Sequence, residues 1–161
     1  MAAVKQNIIH LYRLVHNKWA AQAFDGEGAR RFGGRWNSKG QLCIYTANSE
    51  ALAILEVLVH LNNRVALRQY KLFQLTIARA DLMQISSNTL PASWRDQPAT
   101  SETAAIGDNW LSQKASLALA VPSVLAPRES NILLNPSHAS FNDCLTTITE
   151  LDFMPDPRLA L

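Results

Sequence analysis

A guanidinium, a phenol and a carboxylate follow one another along a short stretch of this chain. Arg35 stands in Gly33-Gly34-Arg35-Trp36-Asn37, Tyr45 ends an apolar run, and Glu56 lies among Ile54, Leu55, Val57, Leu58 and Val59. Burying an unpaired carboxylate is costly. Glu56 therefore either faces solvent on a narrow polar strip, with His60 one turn on, or has cationic company in a cleft. Paired glycines reach backbone shapes closed to other residues and let a ligand approach closely. An arginine after them is either solvated at a turn or a two-pronged clamp for phosphate oxygens. Tyr45 is either a core tyrosine with a satisfied hydroxyl or a flat face for an aromatic or cationic ring. Arg13, set among Leu11, Leu14 and Val15, also asks for an anion. Together these groups suit a site that grips an anionic, aromatic substrate and stabilises positive charge developing on it.

Other chemistries find less support. Ser123 follows Val121-Pro122 with no G-x-S-x-G and no base beside it, so it reads as a hydrogen-bonding serine at a strand end rather than a nucleophile. The glycines form no G-x-G-x-x-G, so a nucleotide would not be held in the Rossmann manner. His10, His16, His60 and His138 show no metal-ligand spacing, and no metal is expected. Cys43 and Cys144 are far apart and read as free thiols, which fits a reducing cytoplasm. A net charge of +2, from 15 basic and 13 acidic residues, leaves no basic stripe for direct nucleic-acid binding. No apolar run is long enough for a membrane span, and Met1 to Asn7 lacks the apolar core of a secretory leader.

The elements that must position these groups can be read in outline. The 161 residues, 48% hydrophobic and 17% charged, suffice for one domain over 1–161 with a substantial core. Ile8 to Val15 reads as a strand, 16–41 as a long functional loop without apolar period, and Leu42 to Thr46 as a second strand. Ser49 is a good N-cap for a helix running to about Leu61, with Leu52, Leu55, Leu58 and Val59 as its apolar stripe. Tyr70 to Ala78 alternates as a half-buried strand. Ser86 to Thr100 is turn-rich, and a helix is expected from about Ser101 to Lys114 with Ile106, Trp110 and Leu111 inward, although Gly107 weakens it. Ser116 to Val121, Asn131 to Leu134 and Thr146 to Phe153 complete the strands. The class is α+β, a mixed or split sheet with few helices.

Leu11-Tyr12-Arg13, Gly33-Gly34-Arg35-Trp36-Asn37, Tyr45-Thr46-Ala47, Ala53-Ile54-Leu55-Glu56, Val121-Pro122-Ser123 and Asn131-Ile132-Leu133-Leu134-Asn135-Pro136 together resemble the RES domain family, from about residue 10 to about residue 142. The residues that name that family would here be Arg35, Glu56 and Ser123. The tail 150–161 matches nothing in it.

The resemblance implies an ADP-ribosyltransferase-like fold and a cytoplasmic toxin of a bacterial toxin–antitoxin pair. Its substrate would be NAD⁺, with no separate cofactor. It would deplete NAD⁺ by hydrolysis or phosphorolysis, or transfer ADP-ribose to a protein. The implied partner is an Xre-type helix-turn-helix antitoxin, with a homodimer within the complex left open. Glu56, Arg35, Tyr45 and Ser123 would be catalytic: Glu56, ionised beside Arg35 or Arg13, faces the ribose, and Tyr45 stacks on the nicotinamide. Ser123 would hydrogen-bond the nicotinamide or ribose, and Arg13 and Arg35 would hold the diphosphate or adjoining ribose. A rival of another class is a non-catalytic binding module anchored by Trp19, Trp36, Trp94 and Trp110.

Overall fold

Apolar residues recurring at every second position make strands of three segments near the centre of the molecule: β1 (Ile8–His16), β2 (Ile44–Ala47) and β3 (Tyr70–Ala78). The computed structural model describes residues 7–161. The amino-terminal stretch weighed above as a secretory leader lies, as far as Gln6, outside the described residues. Four further strands, β4 (Leu82–Gln84), β5 (Ala118–Pro122), β6 (Ser130–Leu134) and β7 (Thr149–Leu151), complete a sheet of order β4-β5-β6-β2-β1-β3-β7. β4 and β5 run parallel and every other neighbouring pair is antiparallel, so the sheet is mixed and the class is α+β.

The pairing is uneven. β1 and β3 are in register from Ile8 opposite Ala78 to His16 opposite Tyr70, and β2 and β6 from Ile44 opposite Leu134 to Ala47 opposite Asn131. Between β1 and β2 the single register pair is Tyr12 with Ala47. The sheet is therefore split near its centre.

Alternation sends the residues of each strand to two faces. Leu11, Ile44, Leu75, Ile77, Ala118, Ala120, Ile132 and Leu134 pack on one face with Phe141 and Cys144 of a short helix, α4 (Phe141–Leu145). The opposite face carries two clusters. Leu14, Ala47 and Leu72 meet Leu52 and Ala53 of helix α2 (Glu50–Leu58), and Leu119, Val121 and Leu133 meet Trp36, Trp110 and Leu111.

Helix α2 starts where the sequence places it, since Ser49 Oγ accepts the Leu52 amide at 3.1 Å. It ends at Leu58 rather than near Leu61, because the amides of His60 and Leu61 reach back only three residues and tighten the last turn. Its buried side is not the expected stripe. Leu52 and Ala53 are buried, whereas Leu55 and Val59 are 41% and 55% exposed. Small Ala53 lets the helix lie close to the sheet, and this rotation turns Glu56, one turn on, toward the strands.

Helix α3 (Ser101–Gln113) buries Thr103, Ala104, Gly107, Trp110 and Leu111. Gly107 weakens the helix by propensity, but its place is dictated by packing: a Cβ there would lie 1.7 Å from the Trp36 carbonyl oxygen. The segment 16–41, read as an open loop, holds a 3₁₀ stretch over Asn17–Gln22 and a short helix α1 (Glu27–Phe32). The expected strand over Thr146 to Phe153 shortens to β7.

Candidate active site

The split between β1 and β2 opens into a cavity of about 360 Å³. Its walls come from Tyr12 and Arg13 of β1, Tyr45 of β2, Asn131 of β6, and Ala53, Glu56 and Val57 of α2 with His60 just past its end. The last four recur at helical spacing, so one edge of α2 forms a wall.

Glu56 is half-buried on that wall. Its Oε1 accepts from Ser123 Oγ at 2.9 Å and from Asn131 Nδ2 at 3.0 Å. Among the described residues its Oε2 has no hydrogen-bond partner, so one carboxylate oxygen is tied down and the other is available. No guanidinium forms an ion pair with it; the ion pairs among the described residues are Arg30–Glu27, Lys71–Glu150 and Arg158–Asp156. The cationic company expected from the sequence is replaced by neutral donors, with positive charge at longer range.

Ser123 is 2% exposed and ends the strand pairing after β5. Its oxygen accepts the amides of Leu125 at 3.1 Å and Ala126 at 3.2 Å. With both lone pairs used, its proton goes to Glu56. The direct bond to nicotinamide or ribose implied by the resemblance has no free donor here, and Ser123 does not border the cavity. It holds Glu56 in place.

Arg13 occupies the split itself. Where β1 and β2 part company, Nε donates to the Ala23 carbonyl and Nη1 to the Tyr45 carbonyl, both at 2.7 Å. The guanidinium thus satisfies a strand carbonyl that a continuous sheet would have paired. Burial pulls its pKa down to about 10, with Cys43 and Asp25 opposing, and it keeps its charge at neutral pH. The anion that Arg13 seemed to call for is supplied by backbone oxygens.

Tyr45 borders the cavity, and its hydroxyl is engaged within the protein. The phenol donates to Asn37 Oδ1 at 2.7 Å and accepts the Trp36 amide at 3.1 Å. Burial pushes its pKa well up, so it remains a neutral phenol. The hydroxyl is satisfied, as in a core tyrosine, and the residue also lies on the cavity wall. Gly34 explains itself here, since a Cβ would fall 2.6 Å from the Tyr45 oxygen, and Gly33 turns the chain with a φ of 71°.

Arg35 lies outside the cavity wall. Its Nη1 donates to the carbonyls of Trp94 at 2.8 Å and Asp96 at 2.9 Å, fastening the glycine loop to the turn-rich segment. Burial lowers its pKa while the charges of Glu56, Asp96 and Tyr45 oppose that, Glu56 most strongly. Nε and Nη2 make no hydrogen bond among the described residues. Arg35 faces the same carboxylate from a distance without sealing it.

Two residues escaped sequence reasoning as site residues. Asn131 opens β6 just before three buried apolar residues, and a polar side chain at that point of a central strand was the available signal. Asn37 is 1% exposed, and its Nδ2 donates to the carbonyls of Ala29, Ser38 and Gln41 while its Oδ1 takes the Tyr45 proton. It knots the glycine loop. Trp36 and Trp110 are buried, so two of the four supposed interface anchors belong to the core; Trp19 is 56% exposed. Cys43 and Cys144 are free and buried, and no group of three potential metal ligands occurs among the described residues. No helix among them is long and apolar enough to cross a membrane.

Comparison with known proteins places this geometry in a lineage. The RES domain family model matches residues 10–156. The chain is similar to a protein named Toxin Res from Yersinia enterocolitica, 45% identical over 92% of this chain and 98% of that one. It is also similar to a Toxin Res from Photorhabdus laumondii, 37% identical over 92% of this chain and 96% of that one. A Sphingobium protein named Prs ADP-ribosylating toxin is 37% identical over 74% of this chain and 76% of its own length. In fold, the chain is similar to one from the crystal structure of the M. tuberculosis MbcT-MbcA toxin–antitoxin complex, with a TM-score of 0.69 at 19% identity, covering 95% of this chain and 87% of that one. Family match, full-length relatives and shared architecture agree: the chain belongs to the RES domain family.

Proposed function

We propose that this protein is the toxin of a toxin–antitoxin pair and that it cleaves the nicotinamide–ribose bond of NAD⁺. The observation that carries this reading is Glu56, with one oxygen fastened by Ser123 and Asn131 and the other free beside a cavity of nucleoside-ligand size. Loss of nicotinamide leaves an oxocarbenium-like ribose, as in glycoside hydrolysis. The leaving ring is neutral, so no strong general acid is needed. What the reaction needs is a carboxylate fixed beside the sugar, stabilising its positive charge and orienting a nucleophile through the ribose hydroxyls. Glu56 Oε2 fills that role. The ring of Tyr45 offers a surface for nicotinamide, and the charges of Arg13 and Arg35 favour the diphosphate. At about 360 Å³ the cavity takes the nicotinamide riboside half, leaving the rest of the dinucleotide along its open rim.

The Toxin Res relatives support the toxin assignment, and the toxin–antitoxin neighbour agrees with an antitoxin partner, for which an Xre-type protein is our proposal. The relative named an ADP-ribosylating toxin favours a second reading, in which the same bond breaks but a protein side chain captures the ribose. Incubating purified, antitoxin-free protein with NAD⁺ labelled in the adenosine half separates them. Free ADP-ribose indicates hydrolysis, a phosphate-dependent product phosphorolysis, and label on protein transfer. Unchanged NAD⁺ at every enzyme concentration returns the protein to the class of non-catalytic binding modules.

A further inference from the structure

Asn131 carries one polar atom that nothing in the protein satisfies. Its Nδ2 donates to Glu56 Oε1 at 3.0 Å, which fixes the orientation of the amide because a carboxylate can only accept. That orientation leaves Oδ1, an atom shielded from solvent, without a donor among the described residues. Buried acceptors of this kind are uncommon and costly, and they ask for an explanation. The strand cannot easily shift to relieve it. The backbone of Asn131 is paired on both sides, with Ala47 of β2 and with Val121 of β5. The residue also lines the cavity, on the sheet face that carries Tyr45.

We infer that Asn131 is a substrate-reading residue, whose Oδ1 accepts a hydrogen bond from one hydroxyl of the ribose while Glu56 Oε2 accepts from the other. The inference rests on the NAD⁺ reading above and adds its recognition element. Glu56 and Asn131 are bonded to each other through Oε1 and Nδ2, so their outer oxygens form one rigid pair of acceptors. A vicinal diol supplies two donors at neighbouring carbons, which is the chemistry such a pair fits. A sugar lacking the hydroxyl that meets Oδ1 leaves that shielded acceptor unpaired, and the penalty for that is discrimination.

The test is a cycle between protein and ligand, read as equilibrium binding so that no bond is broken. ADP-ribose and its two analogues lacking either the 2- or the 3-hydroxyl of the terminal ribose are titrated by calorimetry into the wild type, Asn131→Ala and Asn131→Asp. The wild type should lose about tenfold or more in affinity for at least one deoxy analogue. Asn131→Ala should bind ADP-ribose about tenfold more weakly and show no further loss with that analogue. Asn131→Asp keeps an acceptor at the same place and should keep the discrimination, while its NAD⁺ turnover falls because a second carboxylate now faces Glu56. If Asn131→Ala does not fold, Asn131→Asp decides alone. Equal discrimination in the wild type and Asn131→Ala overturns the inference, as does its loss in a folded Asn131→Asp. NAD⁺ turnover by the wild type alongside either result shows that the cleavage reading survives; absence of both turnover and ADP-ribose binding overturns both.

Discussion

Glu56 has two oxygens in different circumstances, and that asymmetry predicts how its variants should behave. Glu56→Gln preserves shape but removes the charge that would face an oxocarbenium-like sugar, so it should lower kcat by about 100-fold or more, ~3 kcal/mol of barrier, with little change in KM. Near-normal NAD⁺ turnover in a folded Glu56→Gln would remove the carboxylate from the mechanism. Ser123 does two jobs with one oxygen. Ser123→Ala leaves the Glu56 carboxylate held by Asn131 alone and takes the acceptor from the part-buried amides of Leu125 and Ala126. It should cost about 1–3 kcal/mol of stability, measured by urea unfolding, together with a roughly tenfold loss in kcat. A variant that kept full stability and lost only substrate affinity would instead make Ser123 a ligand contact.

At the scale of elements, the helix and strand boundaries that bear on the site were largely legible. Period-two alternation marks β1 and β3, and the Ser49 cap marks the start of α2, because both signals are local. What the residues alone did not reveal was tertiary. The rotation of α2 depends on how closely Ala53 approaches the sheet, so Leu55 and Val59 looked like core and are not. The bond between Glu56 and Asn131 joins positions 75 apart, and no local pattern announces such a meeting. The short helix α4 and the three-residue β4 are too brief to show any period. Gly107 is the instructive case, since its weakness as a helix former and its necessity as a contact point in opposite directions. Gly107→Ala should gain up to about 1 kcal/mol from propensity and lose more from overlap with Trp36, for a net loss of ~2 kcal/mol or more. The denaturation midpoint reads the sign directly. A stabilised variant would mean that α3 and the Trp36 segment are not in contact in solution.

Across the whole molecule, buried ionisable groups tie stability to alkaline pH. Burial raises Cys43 to about 12 and Cys144 to about 11, and it raises Tyr45 as well. While all three stay protonated in both folded and unfolded chains, their contribution is fully present. Above the ordinary thiol value of 9.0 the unfolded chain releases protons that the folded chain retains, so stability falls as pH rises. Arg13 opposes this only from about 10 upward, where the folded chain sheds a proton the unfolded chain still holds. Between pH 8 and pH 10 the wild type should therefore lose roughly 1 kcal/mol per buried thiol, and Cys43→Ala should lose less. Identical pH slopes for the two proteins in urea titrations would show that Cys43 is not shielded as described.

The parting of β1 from β2 has an effect on how the molecule tolerates change. A pocket carved by trimming side chains is lost when a larger residue appears in it. This one owes its floor to the path of the main chain, where two central strands touch at a single register pair and a guanidinium plugs the remaining gap. Replacing one residue of the wall alters the contour of the hollow without erasing it. The vulnerable point is the plug: with Arg13 gone, the Tyr45 carbonyl must find water or strand β1, and the notch either floods or zips shut.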